Sequence, residues 1–380
     1  MTTLLLSALL AAVVVLLWLL WQQRQQEETL EQAQEDVRIS PLLRGINYLL
    51  SDQPDRALRE LVHVARIHTE TAEVYLALGG MFRSKGEFGR AVRIHQNLLA
   101  RPDLPDSLHQ QAQFALAHDF QAGGLLGRAL SQYAKVLELQ PDHVQALEAS
   151  LRIHEQSSEW EKAEDLLLRL DRIRGTSSSL HQSYLIAEMA KEHQMKGDTS
   201  GAIELAERAI AMDPACAAAH LLLTELHLAS RDKAAAFECM RNLQEAVPQY
   251  TLLLVPLLLR YTDVYHGQGS DFLRSCWDAT HDEALVLAWI EGVHTTYGVE
   301  AVRKLMGELG FEPKTLRACL RVEAITADED TGLAQASRVW RQSARNFSCS
   351  HCGMEVVEMR WQCPRCHQWG SMLPISGNTL

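Results

Sequence analysis

The chain has 380 residues, 47% of them hydrophobic and 22% charged, with a formal net charge of −12. That length and apolar content suffice for more than one compact unit. The acidic balance excludes nucleic acid as a partner, because phosphate backbones are bound by basic surfaces, and an anionic membrane face would repel it.

Thr3 to Trp21 reads TLLLSALLAAVVVLLWLLW, in which Ser7 is the only polar residue after Thr3. As a helix this run would be roughly 28 Å long, about one bilayer core. A cleaved signal peptide would bring a basic n-region and a small-x-small exit. Here no Lys or Arg precedes the run, and Trp18 and Trp21 occupy its end, where they suit an interfacial belt. Residues 1–22 are therefore expected to form a single uncleaved transmembrane anchor. Arg24, Arg38 and Arg44 follow it with no basic side chain before it, so the positive-inside bias puts the body in the cytoplasm. The polar run 23–37 reads as a stalk or linker.

From 38 to 248 the chain repeats itself. Ala57, Ala91, Ala129, Ala163, Ala202 and Ala236 fall in register at spacings of 34, 38, 34, 39 and 34 residues. A period of 34 carrying a small-residue position is the tetratricopeptide pattern of paired helices, and about six copies fit. In the clearest copy Tyr75, Leu78 and Phe82 line one face of the first helix, and Gly79 and Ala91 let the two helices approach. Pro141, Pro214 and Pro248 fall where one repeat ends and the next begins. Tyr75, Phe82, Phe114, Phe120 and Tyr133 are expected in the core, and Cys216, Cys239, Cys276 and Cys319 as small buried hydrophobes. His63, His68, His95, His118, His154, His193 and His227 show no metal-binding spacing and read as groove or packing residues of the first helices.

Beyond Pro248 the register fades. Thr251–Leu259 is too short, and too interrupted by Pro256, to cross a membrane. Helical periodicity continues, with breaks expected at Gly267, Gly269, Gly298 and Gly310. We read 249–344 as degenerate helical repeats that cap the solenoid, whose end would otherwise expose an apolar face.

The last segment, 345–376, carries the strongest chemical signal. Cys349-x-x-Cys352 and Cys363-x-x-Cys366 are separated by ten residues, with Gly353 after the first pair and Pro364 inside the second. Paired CxxC turns facing each other across a short hairpin place four thiolates at the corners of a tetrahedron. Two disulfides would be reduced in the cytosol, and a thioredoxin-type site needs one CxxC in a βαβ pattern that is absent here. The expected cofactor is one tetrahedral metal ion, and an all-sulfur site accepts zinc or iron. Around it Arg345, Arg360, Arg365, Trp361 and Trp369 could form a partner-binding surface, since Arg and Trp favour hot spots; equally, the tryptophans could shield the metal and pack the ribbon on the last helices.

No GxxxxGK[ST], GxSxG or strand-helix GxGxxG motif occurs. Four thiolates also close the metal's coordination, leaving no position for substrate. The chain thus reads as a mostly α, non-enzymatic protein: an N-terminal transmembrane helix, a tetratricopeptide solenoid offering a groove to an extended peptide or helix, and a small rubredoxin-like or zinc-ribbon metal knuckle.

This layout resembles the lipopolysaccharide assembly protein B family. Besides the anchor, the resemblance rests on GINYLLSD (45–52), LGGMFRSKGE (78–87), RAVRIHQNL (90–98), SEWEKA (158–163) and, most specifically, WQCPRCHQW (361–369) with PISG (374–377). It implies a single-pass protein of the bacterial inner membrane with its body on the cytoplasmic side. It further implies an adaptor that promotes degradation of the lipid A pathway deacetylase by the membrane AAA+ zinc protease, so limiting lipopolysaccharide, and that gathers other lipopolysaccharide-synthesis and regulatory inner-membrane proteins. The implied metal is iron in a rubredoxin-like site ligated by Cys349, Cys352, Cys363 and Cys366. Two other readings remain open on the residues alone: an electron-transfer protein with a redox-active Cys₄ iron, and a general envelope-assembly scaffold with no role in proteolysis.

Overall fold

The structure is a computed structural model that describes residues 72–327 and 345–375, together with positions 44, 45, 47, 48, 53, 56, 335 and 339. The expected anchor and linker, Ala57, His63, His68 and the stretch 328–344 apart from its two described positions lie outside the described residues. Among the described residues no helix is long and apolar enough to cross a membrane.

The chain divides into two compact units, 1–146 and 147–380. In the first, α1 (Ala72–Ser84) packs on α2 (Phe88–Leu99), and α3 (Asp106–Ala122) on α4 (Leu126–Leu139). Tyr75, Leu78, Phe82, Ile94 and Leu98 form one apolar cluster with Ala91. Asp119 of α3 is fully buried inside this unit, and Arg83 Nη1 at 2.7 Å and His95 Nδ1 at 2.5 Å satisfy one oxygen each. His95 thus belongs to a second helix, not a first one, and its work is structural. Phe114 is only half-buried and stacks on His143 at 4.9 Å, because it faces a surface cavity beside Leu76 and Gln111.

The helix pairs continue through α5 (Val144–Gln156), α6 (Trp160–Arg174), α7 (Ser179–Met195), α8 (Thr199–Met212), α9 (Ala217–Ala229) and α10 (Lys233–Ala246). Ala91, Ala129, Ala163, Ala202 and Ala236 are each fully buried, as a small residue must be where two helices cross closely. Five residues before each of them the chain turns through a left-handed residue: Gly86, Gly124, Ser158, Gly197 and Arg231. Glycine takes that conformation freely, whereas Ser158 and Arg231 adopt it at a cost of about 1–2 kcal/mol each. Asp198 and Asp232 cap α8 and α10 by accepting from the backbone N–H of Gly201 and Ala235. His154 and His193, in the last turns of α5 and α7, sit 2.5 and 2.8 Å from Glu159 and Asp198. These histidines tie a first helix to the start of the second.

The pattern changes at Pro248 because Pro248–Leu254 winds as a 3-10 helix before α11 (Val255–Tyr261). Four further helices follow: α12 (Gln268–Thr280), α13 (Glu283–Tyr297), α14 (Val299–Leu309) and α15 (Leu316–Thr326). They share a core around Trp289, which is fully buried and donates from its indole to the Val264 carbonyl at 2.7 Å. Cys216, Cys239 and Cys276 are buried, but Cys319 is exposed on α15, which buries only one face. Last comes a three-stranded antiparallel sheet of order β2-β1-β3, from β1 (Phe347–Cys349), β2 (Glu355–Val356) and β3 (Met372–Pro374). Cys349 pairs with Met372, and Phe347 with Val356 on one side and Pro374 on the other.

Close approach in the first unit is testable at Gly79, where an added Cβ would collide with the buried ring of His95. The ring has no room to swing without breaking its bond to Asp119. Gly79→Ala should destabilise this unit by about 1–3 kcal/mol, read as a lowered urea midpoint and faster amide exchange in α1–α3.

Candidate metal centre

Both CxxC segments fold into the same knuckle. In the first, Cys349 N–H donates to the Met354 carbonyl and Gly353 N–H returns to Cys349 O; in the second, Cys363 N–H donates to Gln368 O and His367 N–H returns to Cys363 O. Each knuckle requires a left-handed residue four positions after its first cysteine, supplied by Gly353 (φ 69°) and His367 (φ 58°). The two turns face each other, and all four Sγ atoms lie within 4.8 Å of one another.

The donor set fits a single ion. A metal–sulfur distance of about 2.3 Å gives a regular tetrahedron edges of about 3.8 Å, and Cys349–Cys366 and Cys352–Cys363 stand 3.6 Å apart. These separations are far beyond a disulfide bond; all four thiols are free. At Cys349 burial raises the pKa, but hydrogen bonding to Ser371 and to the backbone N–H groups of Cys352 and His351 outweighs it and brings the thiol down to about 6. At Cys366 burial and the neighbouring sulfurs push the thiol up to about 12. Four thiolates in this volume would need a cation between them. Cys349, Cys352, Cys363 and Cys366 would together hold one tetrahedral metal ion, which when bound cross-links the two knuckles and leaves no open coordination site.

The hairpin that carries Cys363 and Cys366 is also the ribbon's dock on the solenoid. Trp369 is buried: it stacks on Tyr184 of α7 at 5.7 Å and meets Trp160 of α6 edge-on at 6.2 Å. Trp361 packs against Tyr184 at 5.7 Å and Tyr250 at 5.6 Å. Beneath them the carboxylate of Glu155, 6% exposed at the end of α5, accepts from Trp369 Nε1 at 3.1 Å, Gln362 Nε2 at 2.9 Å and His181 Nε2 at 2.5 Å. The Tyr250 hydroxyl lies 3.1 Å from the carbonyls of both Gly370 and Met372. Burial pushes its phenol up to about 12, so it remains a donor at neutral pH. Gly370 (φ 62°) lies so close to the Tyr184 ring that a Cβ would overlap it.

The five residues expected to share one partner surface are therefore divided. Trp369 and Trp361 turn toward the solenoid, while Arg345, Arg360 and Arg365 are exposed. The dock is built on α5, α6, α7 and the 3-10 turn, and the ribbon also meets the last helices, where Trp361 and Leu373 join their apolar cluster and Arg317 of α15 donates to the Arg345 carbonyl. Glu155, His181, Tyr184 and Tyr250 were not singled out by sequence. One signal was available: Tyr184-Leu185-Ile186-Ala187 runs apolar around one full turn of α7, and a helix apolar on more than one face requires a covering layer.

Comparison with known proteins agrees with this architecture. Residues 347–374 match the family described as rubredoxin metal binding domain. Three tetratricopeptide-repeat families match residues 74–108, 114–178 and 194–253. The chain is similar along its length to lipopolysaccharide assembly protein B. It is 28% identical to the protein of that name from Escherichia coli strain K12 over 349 residues, covering 88% of each chain. The Haemophilus influenzae protein of the same name is 27% identical over 356 residues, covering 87% of this chain and 88% of its own length. The resemblance to the lipopolysaccharide assembly protein B family therefore holds, with its repeats and its four-cysteine ribbon. Among solved structures, the crystal structure of MamA protein has 19% identity and a TM-score of 0.33 over 48% of this chain and 93% of that one, a likeness too slight to build on.

The knuckle geometry makes a quantitative prediction. His367→Gly should relieve left-handed strain of about 1 kcal/mol, whereas Gly353→Ala should add about as much. With folding and metal binding linked, His367→Gly should need about fivefold more chelator than the wild type to lose its metal, and Gly353→Ala about fivefold less.

Proposed function

We propose that this protein is a non-enzymatic adaptor, held at the bacterial inner membrane by residues 1–22 with its body in the cytoplasm, that limits lipopolysaccharide output. In this reading it promotes proteolysis of the lipid A pathway deacetylase by the membrane AAA+ protease and gathers other lipopolysaccharide-synthesis proteins nearby. The observation that carries the reading is the match to proteins named lipopolysaccharide assembly protein B over 88% of the chain, repeats and ribbon included.

Physical chemistry supports the same role. Tetratricopeptide repeats are binding surfaces, and a Cys₄ ion without an open position is a structural clip. An anchor would confine the adaptor to the plane of its partners, raising their effective concentration without tight pairwise contacts. Iron or zinc would serve the clip equally, since both accept four thiolates.

Deleting residues 1–22, or replacing Cys363 and Cys366 with Ser, should lengthen the deacetylase half-life severalfold and raise lipopolysaccharide. Pulse-chase of the deacetylase in cells carrying each variant measures this directly. Wild-type turnover and lipopolysaccharide levels in both variants would sink the proposal.

A further inference from the structure

A second built site lies in the last helices, apart from the metal centre. The 3-10 turn, α11, α13, α15 and strands β1 and β3 of the ribbon line a cavity of about 420 Å³, within the size range of small-molecule pockets. Its floor is aliphatic: Leu252, Leu253, Leu259 and Ala288 line it, all half-buried. Gly292 deepens it, because a Cβ there would overlap the Leu259 side chain.

One rim is cationic. Arg317 and Arg321 lie four residues apart on α15, so both project over the same edge. Arg317 Nη2 donates to the Arg345 carbonyl and to Asn346, which fixes its head at the mouth. Arg321 donates from Nε to Glu291 at 2.8 Å. Its terminal nitrogens make no other hydrogen bond or ion pair with the described residues. Burial first, and then the charge of Arg321, hold Arg317 below its ordinary pKa. Two like charges are thus crowded at a partly desolvated rim, offset in part by Glu355 and by Glu291, the one carboxylate among the described residues that line the cavity. An anion seated between the guanidiniums would relieve that repulsion and gain charge-assisted, fork-type hydrogen bonds.

We propose that this cavity binds a single-chain amphiphile with an anionic head, its hydrocarbon on the Leu252–Leu259–Ala288 floor and its carboxylate or phosphate between Arg317 and Arg321. A helical peptide would need a longer groove than this short aliphatic trough, and the edge strand beside it, β3, ends in Pro374, which has no N–H with which to pair an added strand. The proposal stands independently of any role in proteolysis.

The test uses the full chain in a lipid nanodisc and a diazirine-bearing decanoate as photoprobe. Labelling should be saturable and map to 252–259 and 284–292. Unlabelled decanoate or decyl phosphate should compete, and the better competitor identifies the preferred head. Decanol should compete at least tenfold less well. Arg321→Gln should cut labelling about tenfold with metal content unchanged, and Ala288→Trp, which fills the trough and keeps the arginines, should abolish it. Unsaturable or scattered labelling, equal competition by decanol, or wild-type labelling of Ala288→Trp would each overturn the assignment.

Discussion

The hairpin from Trp361 to Gly370 must meet two demands at once. It supplies two of the four sulfurs, and it inserts Gln362 and Trp369 over the carboxylate of Glu155. A buried carboxylate is costly unless donors surround it. Glu155 has three, two of them from a segment more than 200 residues away in sequence. Without the hairpin that carboxylate would lose both, and Tyr184 and Tyr250 would turn their rings to water. The repeats from α5 to the 3-10 turn are therefore completed by the ribbon, not merely decorated by it.

The metal enters the same balance. A three-stranded sheet whose longest strand has three residues cannot support itself by burial, and among the described residues its own cluster holds only Phe347, Cys349, Cys363 and Met372 as buried members. Closure by four thiolates fixes the two knuckles; the second knuckle then presents Gln362, Trp369 and Gly370 in one rigid arrangement. Ion binding, ribbon folding and docking become parts of one cooperative step. This also explains why a closed site, with no position for substrate, can matter to a binding protein.

Much of this was legible in the sequence, for reasons that differ by element. The alanine register announced the repeats because helix crossings tolerate only small residues, and the left-handed turn five residues earlier repeats at the same spacings. The paired CxxC motifs announced the metal centre because thiolate geometry is set by local turns. The dock was hidden because it joins Glu155, Tyr184 and Tyr250 to a remote hairpin, and a glutamate at a helix end looks like surface. For the same reason the sequence left Trp361 and Trp369 open between a partner surface and packing of the ribbon, and the structure packs them on the solenoid. Cys319 was misread because nothing in its local sequence shows that α15 buries a single face.

Hydrogen exchange on the full chain, metal-loaded and after chelation, tests the coupling of ribbon and solenoid most directly. If metal binding and docking are one step, stripping the ion should release protection at 361–370 and, together with it, at the α7 amides around Tyr184 and the 3-10 turn around Tyr250. Loss of protection confined to the ribbon, with α7 and the 3-10 turn unchanged, would contradict the account.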